Sequence, residues 1–155
     1  MKKVLSILYC FWGVLLWAQT STYTFEALDS LQKIEPKPVV VFIHTDWCKV
    51  CDLMDHSAIQ TKKVSKILNE SFYYVPLNAE DKNPISFNNH TFQFKHTGAT
   101  TGVHELAVSL GLMDDGLAYP TLTILNTENE IIFQHNSLLT KRELTTIFTK
   151  ILATW

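Results

Sequence analysis

Cysteine is scarce in this chain of 155 residues, which has only Cys10, Cys48 and Cys51. Cys10 lies in an apolar N-terminal run, so the rest of the chain holds one pair, three positions apart. A single pair excludes the multi-bridge disulfide framework that holds many small exported domains together. The pair must therefore be explained by its own chemistry or by packing.

Clusters of basic residues interleaved with aromatic ones are also missing. A surface that binds nucleic acid needs such clusters, because contacts to phosphate dominate its affinity. The chain has 13 basic and 15 acidic residues. Loss of Lys2 and Lys3 with an N-terminal segment leaves 11 against 15, a net charge of −4. We therefore predict no nucleic-acid partner.

Internal repeats, low-complexity segments and linkers rich in Pro, Gly or Ser are absent from the sequence as well. The composition is 46% hydrophobic, and the length suffices for one core but is short for two ordinary domains. We expect a single domain over residues 20–155, acting as a monomer.

The N-terminus has the three regions of a secretory signal peptide. Lys2 and Lys3 precede the apolar run 4–17, which is short for a membrane span, and small Ala18 follows. We predict that residues 1–19 are a cleaved signal peptide. An uncleaved membrane anchor is the alternative, because the residues around the cleavage site are imperfect. In either case the domain is expected to be periplasmic or otherwise exported.

The remaining pattern alternates helices with strands. The run 38–45 is a continuous stretch rich in branched residues, which is typical of a strand buried on both faces. The predicted order is a helix over 24–36, a strand over 38–45, helical pieces over 48–58 and 62–72, a strand over 72–78, a short helix over 103–111, a hairpin of 119–126 with 130–136, and a helix over 140–155 with Thr140 as N-cap. This order predicts an α/β fold with a mixed sheet covered on both faces.

Residues 85–102 form an insertion before the helix at 103–111. Its apolar residues alternate with polar ones on either side of two asparagines, which predicts a small β-hairpin followed by a Gly/Thr loop. We expect this segment to lie near the face that carries Cys48 and Pro120, because it precedes the helix leading to Tyr119. There it would restrict which substrates reach the pair.

The placement of the two cysteines suggests different roles for them. A thiolate, and not a thiol, attacks a disulfide, so a reactive cysteine needs a group that favours its charge. Cys48 lies where the strand ends and the helix begins, and the N–H groups of a helix N-terminus supply such stabilisation. Cys51 lies one turn further along. We assign Cys48 as the nucleophile and Cys51 as its resolving partner.

The stretch VVVFIHTDWCKVC at 39–51, with YPT at 119–121, resembles the thioredoxin family and specifically its exported thiol–disulfide oxidoreductases. The resemblance covers residues 22–155 apart from the insertion 85–102. It implies a thioredoxin fold, in which helices flank a mixed central sheet and a hairpin insertion precedes the third helix. It also implies exchange with protein disulfides through a mixed disulfide, without a bound cofactor.

The resemblance also implies roles for individual residues. Cys48 is the attacking cysteine and Cys51 the resolving one, while Trp47 lines the substrate groove. Pro120 is the cis-proline that faces the pair and keeps the thiolates from capturing metal. The backbone of Tyr119 then pairs with a substrate peptide in the manner of a strand.

Two positions depart from the family pattern. Phe42 stands where thioredoxins carry a buried aspartate, and Pro76 stands where they often carry a lysine. The usual proton acceptor for the resolving thiol is therefore missing. His44, Asp46 and Glu80 are the candidates to replace it.

The residues between the cysteines bear on the direction of exchange. Exported oxidants related to thioredoxin have a histidine there, whereas this chain has Lys49 and Val50. We therefore expect a reductase of protein disulfides. In an oxidising compartment it needs an electron donor in the membrane as a partner.

The pair has two alternative interpretations. Cys48 and Cys51 are ordinary core thiols in the first, which the neighbouring Trp47 and the later Pro120 disfavour. In the second, the pair handles copper or zinc together with His44 or His56. No second Cys-x-x-Cys or His-x-x-x-His motif completes such a site, so we predict no metal.

Overall fold

The computed structural model describes residues 19–155, so the predicted signal peptide lies almost wholly outside the described residues. The elements are α1 (Phe25–Ile34), β1 (Val39–His44), α2 (Lys49–Met54), a π-helical turn (Asp55–Ile59), α3 (Lys62–Ser71), β2 (Tyr73–Asn78), β3 (Ile85–Phe87), β4 (His90–Phe92), β5 (Phe94–His96), β6 (Gly102–His104), α4 (Glu105–Gly111), β7 (Thr121–Leu125), β8 (Ile131–His135) and α5 (Lys141–Ala153).

A four-stranded mixed sheet organises the domain in the order β2-β1-β7-β8. β1 pairs with β2 in parallel and with β7 antiparallel, and β7 and β8 form the predicted hairpin. Strand β1 is central because residues 39–43 are buried on both faces and find neighbours on both edges. The predicted α/β fold with a mixed sheet flanked by helices is confirmed.

The two faces of the sheet bury separate apolar clusters. Val40 and Phe42 point to one face, which α2, α3 and α5 cover. Both cysteines belong to the same buried cluster. Val39, Val41 and Ile43 point to the other face, under α1 and α4. This division follows from the two-residue period of a strand. It places the cysteine pair in the layer of α2, α3 and α5.

The helix that carries Cys51 is shorter than the predicted span of 48–58. α2 ends at Met54, and a π-helical turn follows, in which the Gln60 N–H donates to the Asp55 carbonyl at 2.9 Å. Single π-turns of this kind are frequent at functional sites. By contrast, α5 begins as predicted at Thr140, which forms a capping box with Glu143.

The insertion forms two small ladders, β3 with β4 and β5 with β6. Asn88 and Asn89 occupy the first turn with φ of 51° and 59°, as a tight hairpin turn requires. The first hairpin is therefore confirmed, whereas the Gly/Thr region is closed by a second hairpin. It is not a simple loop.

The insertion is anchored on α1. The Phe87 ring is 6% exposed and meets the Phe25 ring edge-on, with 5.0 Å between their centroids. The Ser86 N–H also donates to a carboxylate oxygen of Glu26 at 3.2 Å. The buried anchor thus lies in the layer under α1 and α4, because Phe87 finds its apolar partners there, and a position of this segment near Cys48 and Pro120 stays a prediction.

Among the helices of residues 19–155, none combines the length and the apolar character that a bilayer span needs.

Candidate active site

The structure brings Cys48 and Cys51 together as a disulfide at the junction of β1 and α2. Cys48 is the N-cap of α2, so its carbonyl accepts the first helical hydrogen bond, from the Asp52 N–H at 3.1 Å. Its Sγ accepts from the Cys51 N–H, also at 3.1 Å. A backbone N–H of the first turn of α2 therefore points at the Cys48 sulfur, where it can stabilise a thiolate.

The two sulfurs differ in their access to solvent. Cys48 is 8% exposed and Cys51 is 3% exposed. The difference is small, but it has the sign expected if Cys48 meets the substrate and Cys51 acts from behind it. Cys51 packs among the apolar side chains of the cluster under α2, α3 and α5.

Trp47, Tyr119 and Pro120 lie beside the pair. Trp47 is 62% exposed, and its ring meets that of Tyr119 edge-on with 6.2 Å between centroids. The Tyr119–Pro120 peptide bond is cis, as the resemblance implied, and it leads directly into β7. The structure therefore groups these three residues, while their contacts with a substrate stay a prediction.

Glu80, one of the candidate proton acceptors, lies on this side of the site beside Trp47. The Trp47 Nε1–H donates to Glu80 Oε1 at 3.1 Å, which fixes the orientation of the indole. Burial, with a smaller contribution from the Glu80 carboxylate, raises the pKa of Tyr119. The tyrosine hydroxyl therefore stays protonated at neutral pH.

A cleft of about 350 Å³ lies on the other side of the pair, between β1, β2 and the α2 region. Its walls include both cysteines and several polar or titratable groups, among them His44, Asp46, Asp55 and Tyr74. The cleft is large enough to hold water. It brings Cys51 into a shared space with possible proton acceptors.

The two departures from the family pattern face each other in this cleft. Phe42 and Pro76 are register partners on β1 and β2, and both line the cleft. Phe42 is 4% exposed. An apolar pair has thus replaced the charged pair of thioredoxins, so the strand beneath Cys51 offers it no carboxylate.

Asp55 is a residue of the cleft that the sequence analysis missed. Its backbone N–H donates to the Cys51 carbonyl, so the two residues lie one helical turn apart on the same face. The Gln60 side-chain amide donates to Asp55 Oδ1 at 3.1 Å, and the Gln60 N–H bonds to its carbonyl. The spacing of four residues after Cys51 was the signal that could have identified it.

His44 is the basic group of the cleft. Its ring stacks on that of Phe42, with 5.6 Å between centroids. Burial lowers the pKa of His44, and the carboxylates of Asp46 and Asp55 together with the Thr45 backbone oppose this only in part. The imidazole is therefore neutral at pH 7 and able to accept a proton.

His56, the other histidine considered as a metal ligand, is engaged elsewhere. Its Nδ1 lies 2.9 Å from the Asp52 carbonyl and 3.2 Å from the Asp52 carboxylate, and both interactions raise its pKa. Within residues 19–155, no three His, Cys, Asp or Glu side chains are grouped so that they could hold a metal ion. The arrangement of donors gives the metal-handling interpretation no support.

Comparison with known proteins tests which family the chain belongs to. A family model described as thioredoxin-like matches residues 23–126. No curated protein sequence matches the chain significantly.

Solved structures resemble the fold at low sequence identity. A thioredoxin from Thermus thermophilus is 14% identical with a TM-score of 0.62, covering 88% of this chain and 89% of that one. A disulphide isomerase from Xylella fastidiosa is 18% identical with a TM-score of 0.55 and coverages of 82% and 86%. The oxidised C-terminal domain of DsbD from Neisseria meningitidis is 15% identical with a TM-score of 0.53 and coverages of 84% and 98%.

These structural likenesses establish the fold, and the family match covers more than half of the chain. A Cys-x-x-Cys disulfide at the end of β1 in this fold is the site of a thiol–disulfide oxidoreductase, as the sequence predicted. The chain therefore belongs to the thioredoxin-like family.

Proposed function

We propose that this protein reduces protein disulfides outside the cytoplasm. The observation that carries the proposal is the Cys48–Cys51 disulfide, which lies beside an exposed tryptophan and a cis-proline in a thioredoxin-like fold. Such a reduction converts the thiols of Cys48 and Cys51 into a disulfide.

The chemistry is two successive thiol–disulfide exchanges. The Cys48 thiolate attacks one sulfur of a substrate disulfide, forms a mixed disulfide and expels the other substrate sulfur as a thiolate. Cys51 then loses its proton and attacks Cys48 Sγ, which releases the second substrate thiolate. Two electrons pass from the cysteine pair to the substrate, and the Cys48–Cys51 disulfide is formed.

Exposed apolar side chains near the pair support a protein as the substrate. Trp47 is 62% exposed, and α2 adds Val50 at 47% and Leu53 at 54%. Exposed aromatic and aliphatic side chains next to a reactive group are typical of surfaces that bind other proteins. The group Trp47, Val50 and Leu53 therefore suits an apolar segment beside a substrate disulfide.

Insulin reduction tests this function. The purified domain, supplied with a dithiol reductant, is expected to accelerate the reduction of insulin disulfides and to contain no stoichiometric metal. Elemental analysis of the same sample supplies the second measurement. Stoichiometric copper or zinc without insulin reduction would replace this proposal with the metal-handling alternative.

Export is the second part of the proposal, and the sequence pattern supports it: Lys2 and Lys3, then the apolar run 4–17, then small Ala18. We expect the mature N-terminus between Gln19 and Ser21. Mass spectrometry of protein recovered outside the cytoplasm measures this, and an intact Met1 there contradicts it.

A reductase in an oxidising compartment must itself be reduced again after each turnover. We propose a membrane protein with an outward-facing dithiol as the donor, because the compartment provides no reducing thiol pool. One of the structural relatives is a DsbD C-terminal domain, solved in oxidised and reduced forms. The donor would reach the same face of the protein as the substrate, since Cys48 is the more exposed sulfur.

A further inference from the structure

The second exchange step of the proposed reaction, on which this inference rests, lacks an evident proton acceptor. Cys51 must lose its proton before it attacks, but it is 3% exposed and packs among apolar side chains, so bulk solvent has little access to its proton. Phe42 supplies no base. The acceptor must therefore come from the other groups that line the cleft.

His44 is placed for this role by the geometry of β1. It lies two residues after Phe42, so its side chain is on the same face of the strand as the cysteine pair. It lines the same cleft as Cys51. A neutral imidazole is a far stronger base than a carboxylate, so it suits a thiol proton better.

Groups from each neighbouring element face the His44 ring or its cleft. Asp46 follows β1, and the Asn78 side-chain amide donates to its Oδ1 at 3.0 Å. Asp52 lines the cleft from α2 but is bonded to His56, while Tyr74 on β2 keeps its proton because burial raises its pKa strongly. Asp46 and Asp55 both raise the pKa of His44, Asp46 the more strongly, and Asp55 is held by Gln60 one turn after Cys51.

We propose that His44 accepts the proton of Cys51 in the resolving step, and that Asp55 is a positioning residue that stabilises the resulting imidazolium. The Cys51 S–H bond breaks and a ring nitrogen of His44 takes the proton. The Cys51 Sγ electron pair forms the bond to Cys48 Sγ, and the bond between Cys48 and the substrate breaks. The departing substrate thiolate then takes a proton from the imidazolium or from solvent.

The cleft can also carry the proton through a bridging water. Its volume of about 350 Å³ admits several water molecules. The Thr45 hydroxyl lines it and is buried without a hydrogen-bond partner among residues 19–155, so it offers water a contact. Transfer from Cys51 to His44 therefore does not require direct contact between the two side chains.

The test follows both exchange steps with the chromogenic disulfide 5,5′-dithiobis(2-nitrobenzoate) in stopped flow. Attack by Cys48 releases the first aromatic thiolate, and resolution by Cys51 releases the second, so the two rates are separable. In the reduced wild-type protein, the rate of the resolution step should change little with pH over the range between the pKa of His44 and that of the thiol. His44→Gln should instead show a rate that rises tenfold per pH unit, and at pH 7 it should be slower by on the order of a hundredfold.

Two further variants separate proton transfer from a structural effect. His135→Gln is the matched control, because His135 also ends a strand and is half-buried, and it should leave the profile unchanged. Asp55→Asn should keep the flat region but extend it to lower pH, because the Asp55 carboxylate raises the pKa of His44. Both predictions concern the shape of the profile, which a loosened fold does not alter in this way.

If the resolution rate of His44→Gln stays independent of pH, or is lower than the wild-type rate by the same factor at every pH, the proton-acceptor role is overturned. The proposed function survives that outcome as long as the wild type reduces insulin. If the wild-type protein releases neither aromatic thiolate faster than a free thiol does, the proposed function and this inference both fail.

Discussion

Cys48→Ala is expected to abolish insulin reduction, with a loss on the order of a thousandfold or more, down to the rate of the uncatalysed reaction. Cys48 is the more exposed sulfur, and its Sγ is the one that a backbone N–H contacts. Cys51 is the only other cysteine in residues 19–155. It is more buried than Cys48, so it is poorly placed to attack a substrate disulfide itself. Insulin turbidity and the chromogenic disulfide both measure the loss.

Cys51→Ala is the matched variant, because it leaves the attack intact and stops the resolution. It should accumulate a mixed disulfide between Cys48 and its substrate, which non-reducing electrophoresis and mass spectrometry detect. The same trap, applied in the organism, identifies the substrates. Alkylation of the reduced protein at mildly acidic pH should label Cys48 first. Trapping by Cys48→Ala in place of Cys51→Ala would reverse the assignment of the two roles.

The fold could be predicted from the sequence to the extent that its elements repeat simple patterns. The branched run that begins at Val39 indicated a buried strand, and Thr140 indicated the start of α5. These signals are local, because burial on both faces and helix capping each leave a mark within a few residues. The cysteine pair was identified from its spacing after the strand, whereas Pro120 was identified from the resemblance to the thioredoxin family.

What the sequence did not reveal depends on contacts between distant segments. The direction in which the insertion packs is decided by the pairing of Phe87 with Phe25, 62 positions away in the chain. Asp55 became part of the site because α2 turns into a π-turn and the cleft opens beside it. The pairing has no periodicity that a single sequence displays, and the spacing of Asp55 four residues after Cys51 does not by itself show that a cleft opens there.

The second large effect concerns the reduction potential of the Cys48–Cys51 pair. A strong oxidant stabilises its reduced form through a nucleophile of very low pKa. Here the cleft beside the pair is lined by the carboxylates of Asp46, Asp52 and Asp55, whose negative charge disfavours a thiolate. Lys49 is exposed, so solvent and salt screen its opposing charge. We expect a potential closer to the roughly −270 mV of thioredoxin than to the roughly −120 mV of a periplasmic oxidant.

Val50→His tests the physical reason for this value. Val50 lies between the cysteines and is 47% exposed, so a histidine fits there and brings positive charge close to Cys48 when protonated. The potential should rise by about 30 mV or more, which is a tenfold change in the equilibrium constant of exchange. Leu53→His is the control, because Leu53 is a similarly exposed residue of α2 outside the Cys-x-x-Cys segment, and its effect should be smaller.

Equilibration of the protein with glutathione buffers measures each potential. A wild-type value above about −180 mV, which is the potential of an isomerase, would reject the reductase direction while leaving the exchange chemistry intact. Equal shifts from Val50→His and Leu53→His would show that charge anywhere on α2 matters. In that case the identity of the residues between Cys48 and Cys51 does not set the potential, and the three carboxylates of the cleft become the groups to neutralise one at a time.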